Sequence, residues 1–218
     1  MIALIRYTTA SMLHSQRYLA PVLLFLAVVG ISSSNDGGPL PPIYALCAGE
    51  LFVCATWFTI ALISIEDPAH RAITIVSAGN SRKVLLASVS VAVISCSVLA
   101  VFGLALPVLV GAHAVNLSDL VLGVEAELTC AAIGISIGLL CSRLVIRRQG
   151  YALVIAIGLV MTMLLVRGLP PVNVLFRLMA NATTSADLIV PASGLLAIAF
   201  TALIAGAIAT QFIATRRD

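Results

Sequence analysis

The sequence predicts an all-α polytopic membrane protein, a single domain over residues 1–218 with six transmembrane helices, and three observations carry that prediction. First, 61% of the 218 residues are hydrophobic and only 10% are charged, where a soluble domain carries about a quarter. Second, the cations form clusters separated by apolar stretches: Arg6 and Arg17, then Arg71, Arg82 and Lys83, then Arg143, Arg147 and Arg148, then Arg216 and Arg217. Arg167 and Arg177 stand apart from these. Lys and Arg are costly to carry across a bilayer and stay on its cytoplasmic side. The alternation therefore predicts that both termini are cytoplasmic. Third, no polar stretch is long enough for a soluble domain. The net charge of +3 follows from loop cations, so it does not argue for nucleic acid.

Residues 2–16 read as an interfacial helix, with Ile2, Ile5, Thr9, Met12 and Leu13 on one face and Arg6, Ala10, His14 and Arg17 on another. Span 1 covers about 18–32, short against the roughly 20 residues a bilayer needs. The long n-region and the lack of an A-x-A site argue against a cleaved signal peptide. A turn-rich external loop, Ser33 to Pro42, leads to span 2 at about 43–65. Asp67 is a good N-cap and Pro68 a good first helical residue, so a short cytoplasmic helix is expected over 68–78, stopped by Gly79. Span 3 covers about 84–110, with Pro107 placed to kink its outer end. Asp119 is expected to open span 4, about 119–142, and span 5 covers about 151–166. Residues 167–186 are too polar to span, yet hold the apolar run Val172 to Met179. They read as an external, partly buried, re-entrant-like element of one or two short helices. Span 6 covers about 188–213.

Several motifs look chemical. Gly134-Ile135-Ser136-Ile137-Gly138 fits the G-x-S-x-G nucleophile pattern, but that pattern needs a strand–turn–helix and a nearby histidine. His14, His70 and His113 all fall outside the spans. Gly134 and Gly138 are instead expected to let a second helix approach closely, and Ala202 and Gly206 repeat that spacing. There is no phosphate loop of the G-x-x-x-x-G-K-[ST] type and no metal-ligand cluster. The cysteines (Cys47, Cys54, Cys96, Cys130, Cys141) all lie in apolar stretches and read as small buried hydrophobes. Sequons at Asn116 and Asn181 fall on the predicted outer side, and no function attaches to them.

Intramembrane acids are the strongest functional candidates on physical grounds, because charge at depth is expensive and faces protein or water. Glu125 and Glu127 lie roughly 9 and 12 Å along the helix from Asp119, and Glu50 is at similar depth in span 2. Glu125 and Glu127 point to different sides of their helix. Ion pairs with Arg167 or Arg177, contact with a cationic or polar substrate, and a wetter position than the span boundaries imply are the readings left open.

This layout resembles the membrane permease of ABC-2-type transporters. The resemblance covers nearly the whole chain: an interfacial "elbow" helix, six spans, a short cytoplasmic helix between spans 2 and 3, and a polar, partly helical segment between spans 5 and 6. Its most local match is Glu66 to Ala87, where Glu66 and Asp67 precede a short coupling helix and Ser81-Arg82 lead into span 3. Ala69-His70 and Gly79-Asn80 stand where the family often has Gly and Pro. The resemblance implies a subunit of a bacterial exporter in the inner membrane, forming the pathway with a second copy or a homologue. It would carry no cofactor and do no covalent chemistry of its own. A separate ATP-binding subunit, holding ATP and Mg, would dock on the coupling helix through Glu66, Asp67, Pro68, His70, Arg71, Ile73, Val76, Ser81 and Arg82.

Three other classes of function remain beside that one, the least favoured a membrane enzyme, because no His or acid cluster falls in the inner half and the lone Ser136 does not supply one. An ATP-independent secondary transporter or channel would use Glu50, Glu125 and Glu127 as proton or cation sites. A non-transporting scaffold or immunity protein would form a stable complex without any ATPase.

Overall fold

A computed structural model describes residues 1–34, 40–65, 68–110, 116–146, 148–181 and 185–216. Among these the chain is helical throughout, without strands: α1 (Ile2–Ser15), α2 (Leu19–Ser33), α3 (Leu40–Ile63), α4 (Pro68–Ala78), α5 (Ser81–Val110), α6 (Leu117–Leu140), α7 (Gln149–Leu165), α8 (Val172–Asn181) and α9 (Ile189–Thr215). A 3-10 turn, Ser185–Leu188, precedes α9. Among the described residues, α3, α5, α6 and α9 with its 3-10 lead-in are long and apolar enough to cross a membrane. α1 and α2 pass that test only as a pair bent by 77°, and α7 is a shorter apolar helix.

Local chemistry sets the ends of these helices. Gln16 adopts a left-handed conformation (φ 55°) and stops α1, so the chain turns sharply into α2. Arg17 then donates from Nη1 to the Ser64 carbonyl at 3.2 Å, covering one of the acceptors left open where α3 ends. α3 starts at Leu40 rather than Ile43, because Pro41 and Pro42 fall in its first turn, where a missing N–H costs nothing. Gly79, at φ 70°, ends α4. Asn80 then caps α5, its Oδ1 accepting the Arg82 N–H at 2.9 Å, so α5 begins three residues before the expected boundary. Asp119 does not open α6. Asn116 is its N-cap residue, and Asp119 lies in the first turn.

The centre of the bundle is three parallel helices, α3, α6 and α9. Gly123 faces Tyr44, Gly134 faces Phe52 and Ala55, and Gly138 faces Thr56 and Thr59, so residue numbers rise together along α3 and α6. Ser185 meets Asp119 and Ser136 meets Ala202, so α9 runs the same way. α6 is the hub and is buried nearly all round from Ala126 to Leu139. A Cβ at Gly134 would stand 2.7 Å from the Phe52 carbonyl oxygen, and one at Gly138 would stand 2.9 Å from that of Thr56. Lipid is as apolar as leucine, so helices pair in it through such close packing rather than by excluding water. The two glycines therefore serve a seam inside this chain, and they are buried there rather than offered to a second copy.

The remaining long helices run antiparallel to these three. Pro21 of α2 accepts from Cys54 Sγ at 3.3 Å, whereas Val28 reaches the level of Pro42 and Ala45. Toward its start α5 places Ser88 beside Leu62 and Ile63, and toward its end it places Leu104 against Gly123. α7 places Leu153 by Trp57 and Ser64, and Leu164 by Gly49. One end of the bundle thus collects α1, α4, the starts of α2, α5 and α7, and the ends of α3, α6 and α9. Every described cation except Arg167 and Arg177 lies there. The other end holds α8, the 3-10 turn and all the described acids.

α1 packs on α5 with part of the face its sequence suggested, through Ile5 and Met12, and with Thr8 in addition. Thr8 and Met12 are buried and Ile5 packs against the core, while Ile2 and Leu13 are 84% and 52% exposed. The i, i+3, i+7 spacing of Ile5, Thr8 and Met12 follows the contact with α5 and α3, and leaves Ile2 and Leu13 outside it. The segment after α7 resolves into α8, folded back by one side chain. Asn173 donates from Nδ2 to the Leu164 carbonyl at 2.8 Å and accepts the Gly168 N–H on Oδ1 at 3.0 Å. It thereby closes the carbonyl end of α7 and holds α8 against α3.

Candidate functional site

The acidic end contains the first candidate. Glu127, on α6, is fully buried, and neither of its carboxyl oxygens has a hydrogen-bond partner among the described residues. Its carboxyl fills the space left by Gly103 of α5, beside Phe25 of α2. Pro107 has no N–H for the carbonyl one turn back, so the Gly103 carbonyl at the same place lacks its helical donor. Glu127 also lies within electrostatic range of Glu50 on α3. Glu50 is half-buried, with an unpartnered buried oxygen, Oε2. Glu125 is likewise half-buried with its Oε2 unpartnered, on a different side of α6 from Glu127.

Of the readings left open for these acids, the ion pairs with Arg167 or Arg177 are not formed among the described residues. Arg167 and Arg177 are exposed, and neither bonds to Glu50, Glu125 or Glu127 among the described residues. Arg167 follows the C-terminus of α7 and Arg177 lies on the outer face of α8, whose buried face carries Val172, Leu175 and Met179. The acid that does find partners is Asp119. It accepts from Ser185 Oγ and, at 3.3 Å, from Asn116 Nδ2, and its place in the first turn of α6 suits a carboxylate. Tyr44 went unnoticed in the sequence reading. It is fully buried against Gly123, with its hydroxyl unpartnered. A lone phenol two turns before Glu50 in an apolar helix was its only signal.

Glu50 opens onto a cavity of about 690 Å³ between α2, α3, α7 and α8. Its walls are apolar, including Leu24, Leu46, Val53, Leu164 and Phe176, and Glu50 is the single charged group among them. Gly49 keeps the α3 side of the groove bare, for a Cβ there would stand 3.3 Å from Phe176 Cζ.

The basic end contains the second candidate. α4 leaves Ile73 and Val76 64% and 81% exposed. His70 and Arg82 are exposed too, and Arg71 is half-buried beside Thr8, Ile63 and Ser88. A cleft of about 460 Å³ separates the start of α1 from α4, lined by Leu4, Tyr7, Ile73, Ser77 and Lys83 among others. Ser81 begins α5 with its hydroxyl buried and unpartnered. Pro68 is the first residue of α4, as expected. Glu66 and Asp67 lie outside the described residues, as do His113, Arg147 and Arg217.

Ser136 donates to the Ala202 carbonyl at 3.0 Å, and its side chain occupies the space at Gly206. It is a packing contact between α6 and α9, and His14 and His70 are both exposed. The cysteines are all buried and unpaired. Among the described residues no three of His, Cys, Asp and Glu gather as metal ligands. Comparison with protein-family models, with curated proteins and with solved structures returned no match.

Proposed function

We propose that this chain is the membrane subunit of an ATP-driven exporter of the ABC-2 type, seated in a bacterial inner membrane. α2, α3, α5, α6, α7 and α9 are its six spans, α1 is the elbow helix and α4 the coupling helix. The alternating direction of the long helices supports this reading, because it brings nearly all the cations to one end, which the positive-inside rule makes cytoplasmic. α2 and α7 are shorter than the roughly 20 residues of an ordinary span, and a locally thinned bilayer accommodates them at modest cost. The outward apolar side chains of α5, α7 and α9, such as Ile94, Ile157 and Ile204, face lipid or a second permease copy. The chain itself performs no covalent chemistry. ATP and Mg bind a partner subunit, whose ATP-bound and ATP-free forms favour different states of the pathway through their contacts with α4.

One observation carries this function: α4, at the basic end, exposes Ile73 and Val76 beside His70. A short helix that presents apolar side chains at a polar end implies a protein surface that covers them. The test is gentle purification through a C-terminal tag. A stoichiometric ATP-binding subunit is expected, and it should be lost from Ile73→Asp/Val76→Asp while the permease itself stays folded. Recovery of the chain as a homo-oligomer, under conditions where other membrane complexes survive, would refute the assignment. The three carboxyls that have no ion pair among the described residues favour, as the second reading, a secondary transporter that moves protons or cations. Under that reading Glu127→Gln would abolish transport with no ATPase present.

A further inference from the structure

We propose that the groove between α2, α3, α7 and α8 binds an amphipathic organic cation, its positive head at Glu50 and its hydrocarbon against Leu24, Leu46, Val53 and Phe176. As a statement of substrate class this rests on the exporter reading; as a statement of binding it stands on the groove alone. A volume of about 690 Å³ lies within the roughly 300–1,000 Å³ typical of small-molecule sites. The walls would hold hydrocarbon of almost any kind, so Glu50 decides the class. Its Oε2 is buried without a hydrogen-bond partner among the described residues. An ionised carboxyl only accepts hydrogen bonds, so what completes it brings a donor or a positive charge. The described residues offer neither: Arg177, one residue beyond Phe176, is exposed and pairs with no acid of the groove. A neutral acyl chain would cover the walls and leave the carboxyl unsatisfied.

The test is equilibrium binding of radiolabelled tetraphenylphosphonium to the full chain in nanodiscs of zwitterionic lipid, with empty nanodiscs as background. Saturable binding is expected, at least about tenfold weaker in Glu50→Gln and within about threefold of wild type in Glu50→Asp and in Asp187→Asn, an acid that does not line the groove. If Glu50→Gln does not assemble, Gly49→Val decides. It keeps the charge and presses on Phe176, so weaker binding supports the site and unchanged binding overturns it. Binding no greater than in empty nanodiscs, or equal in Glu50→Gln, also overturns it. A disulfide between Leu46→Cys residues of two copies would show that the second copy fills the groove, and would overturn it as well. Recovery of the ATP-binding subunit reads the exporter assignment separately. Cation binding without an ATPase would keep the site and end the exporter reading, and an ATPase without cation binding would do the reverse.

Discussion

At one end of the bundle Arg82, Arg148 and Arg216 lie exposed, with Arg216 4.2 Å over the Phe212 ring and Arg148 6.0 Å from that of Tyr151. At the other end Glu127 is fully buried and Asp119 is 7% exposed. The cations sit where charge costs little, on long stems that reach water beside an aromatic ring. Four of the carboxyls, Asp187 excepted, are buried or half-buried, where charge is expensive, and among the described residues Glu50, Glu125 and Glu127 lack an ion-pair partner. Cheap charge orients a protein in a membrane without touching its core. Expensive charge that destabilises the core is retained where function requires it. The two ends therefore make different predictions under the proposed function: the basic end bears on topology and the acidic end on the cation site.

The largest test of that contrast is all-or-none. A membrane-impermeant maleimide applied to intact cells is expected to label Arg167→Cys, at the acidic end, and to leave Ser77→Cys, on α4, unlabelled until the membrane is opened. The native cysteines are buried, so background is low. The reverse pattern would invert the proposed topology and remove α4 as a docking site for a cytoplasmic ATPase.

Gly138→Leu is expected to have the next largest effect. Its side chain would run into the Thr56 carbonyl and the Thr59 side chain, which is backbone and β-branched bulk rather than the end of a flexible chain. The α3–α6 seam would have to open, at about 3 kcal/mol or more. Gly158→Leu on α7, where a Cβ meets nothing within 4 Å, is expected to change the thermal midpoint little. Fluorescence-detected size exclusion after heating separates the two. Equal midpoints would mean that the parallel core does not hold the bundle together.

The long helices were legible in the sequence because each is an apolar run closed by a turn signal, and the bounds of α4 follow from Pro68 and Gly79 alone. The errors arose where a local rule met a second constraint. Pro41 and Pro42 read as loop, yet a first turn tolerates both. Asp119 reads as a cap, but Asn116 takes that place, and Asp119 turns to Ser185, far along the chain. Period alone could not complete the buried face of α1, because Thr8 is buried against partners that only tertiary structure supplies. Glu50, Glu125 and Glu127 were visible as acids at depth. That no described arginine pairs with them, and that Gly103 makes room for Glu127, depends on how α5 and α8 pack, which no local pattern in the chain encodes.

Glu127→Met gives the smallest shift and the sharpest reading. Methionine is flexible and of similar length, and fills the space beside Gly103 and Phe25 without a polar atom to satisfy. Removing a buried, unpartnered carboxyl in favour of an apolar group of similar size is expected to stabilise the chain by about 1–2 kcal/mol, raising the thermal midpoint by a few degrees. Glu127→Ala is expected to lose that gain, because it leaves a cavity. If Glu127 serves transport, Glu127→Met gains stability and loses tetraphenylphosphonium export from cells. A destabilised Glu127→Met would show that the carboxyl is satisfied in the membrane by a group the chain does not supply, and would place it with Asp119 as a structural acid. A stabilised variant with full export would leave Glu50 and Glu125 as the unpartnered carboxyls at this end with a claim to the substrate.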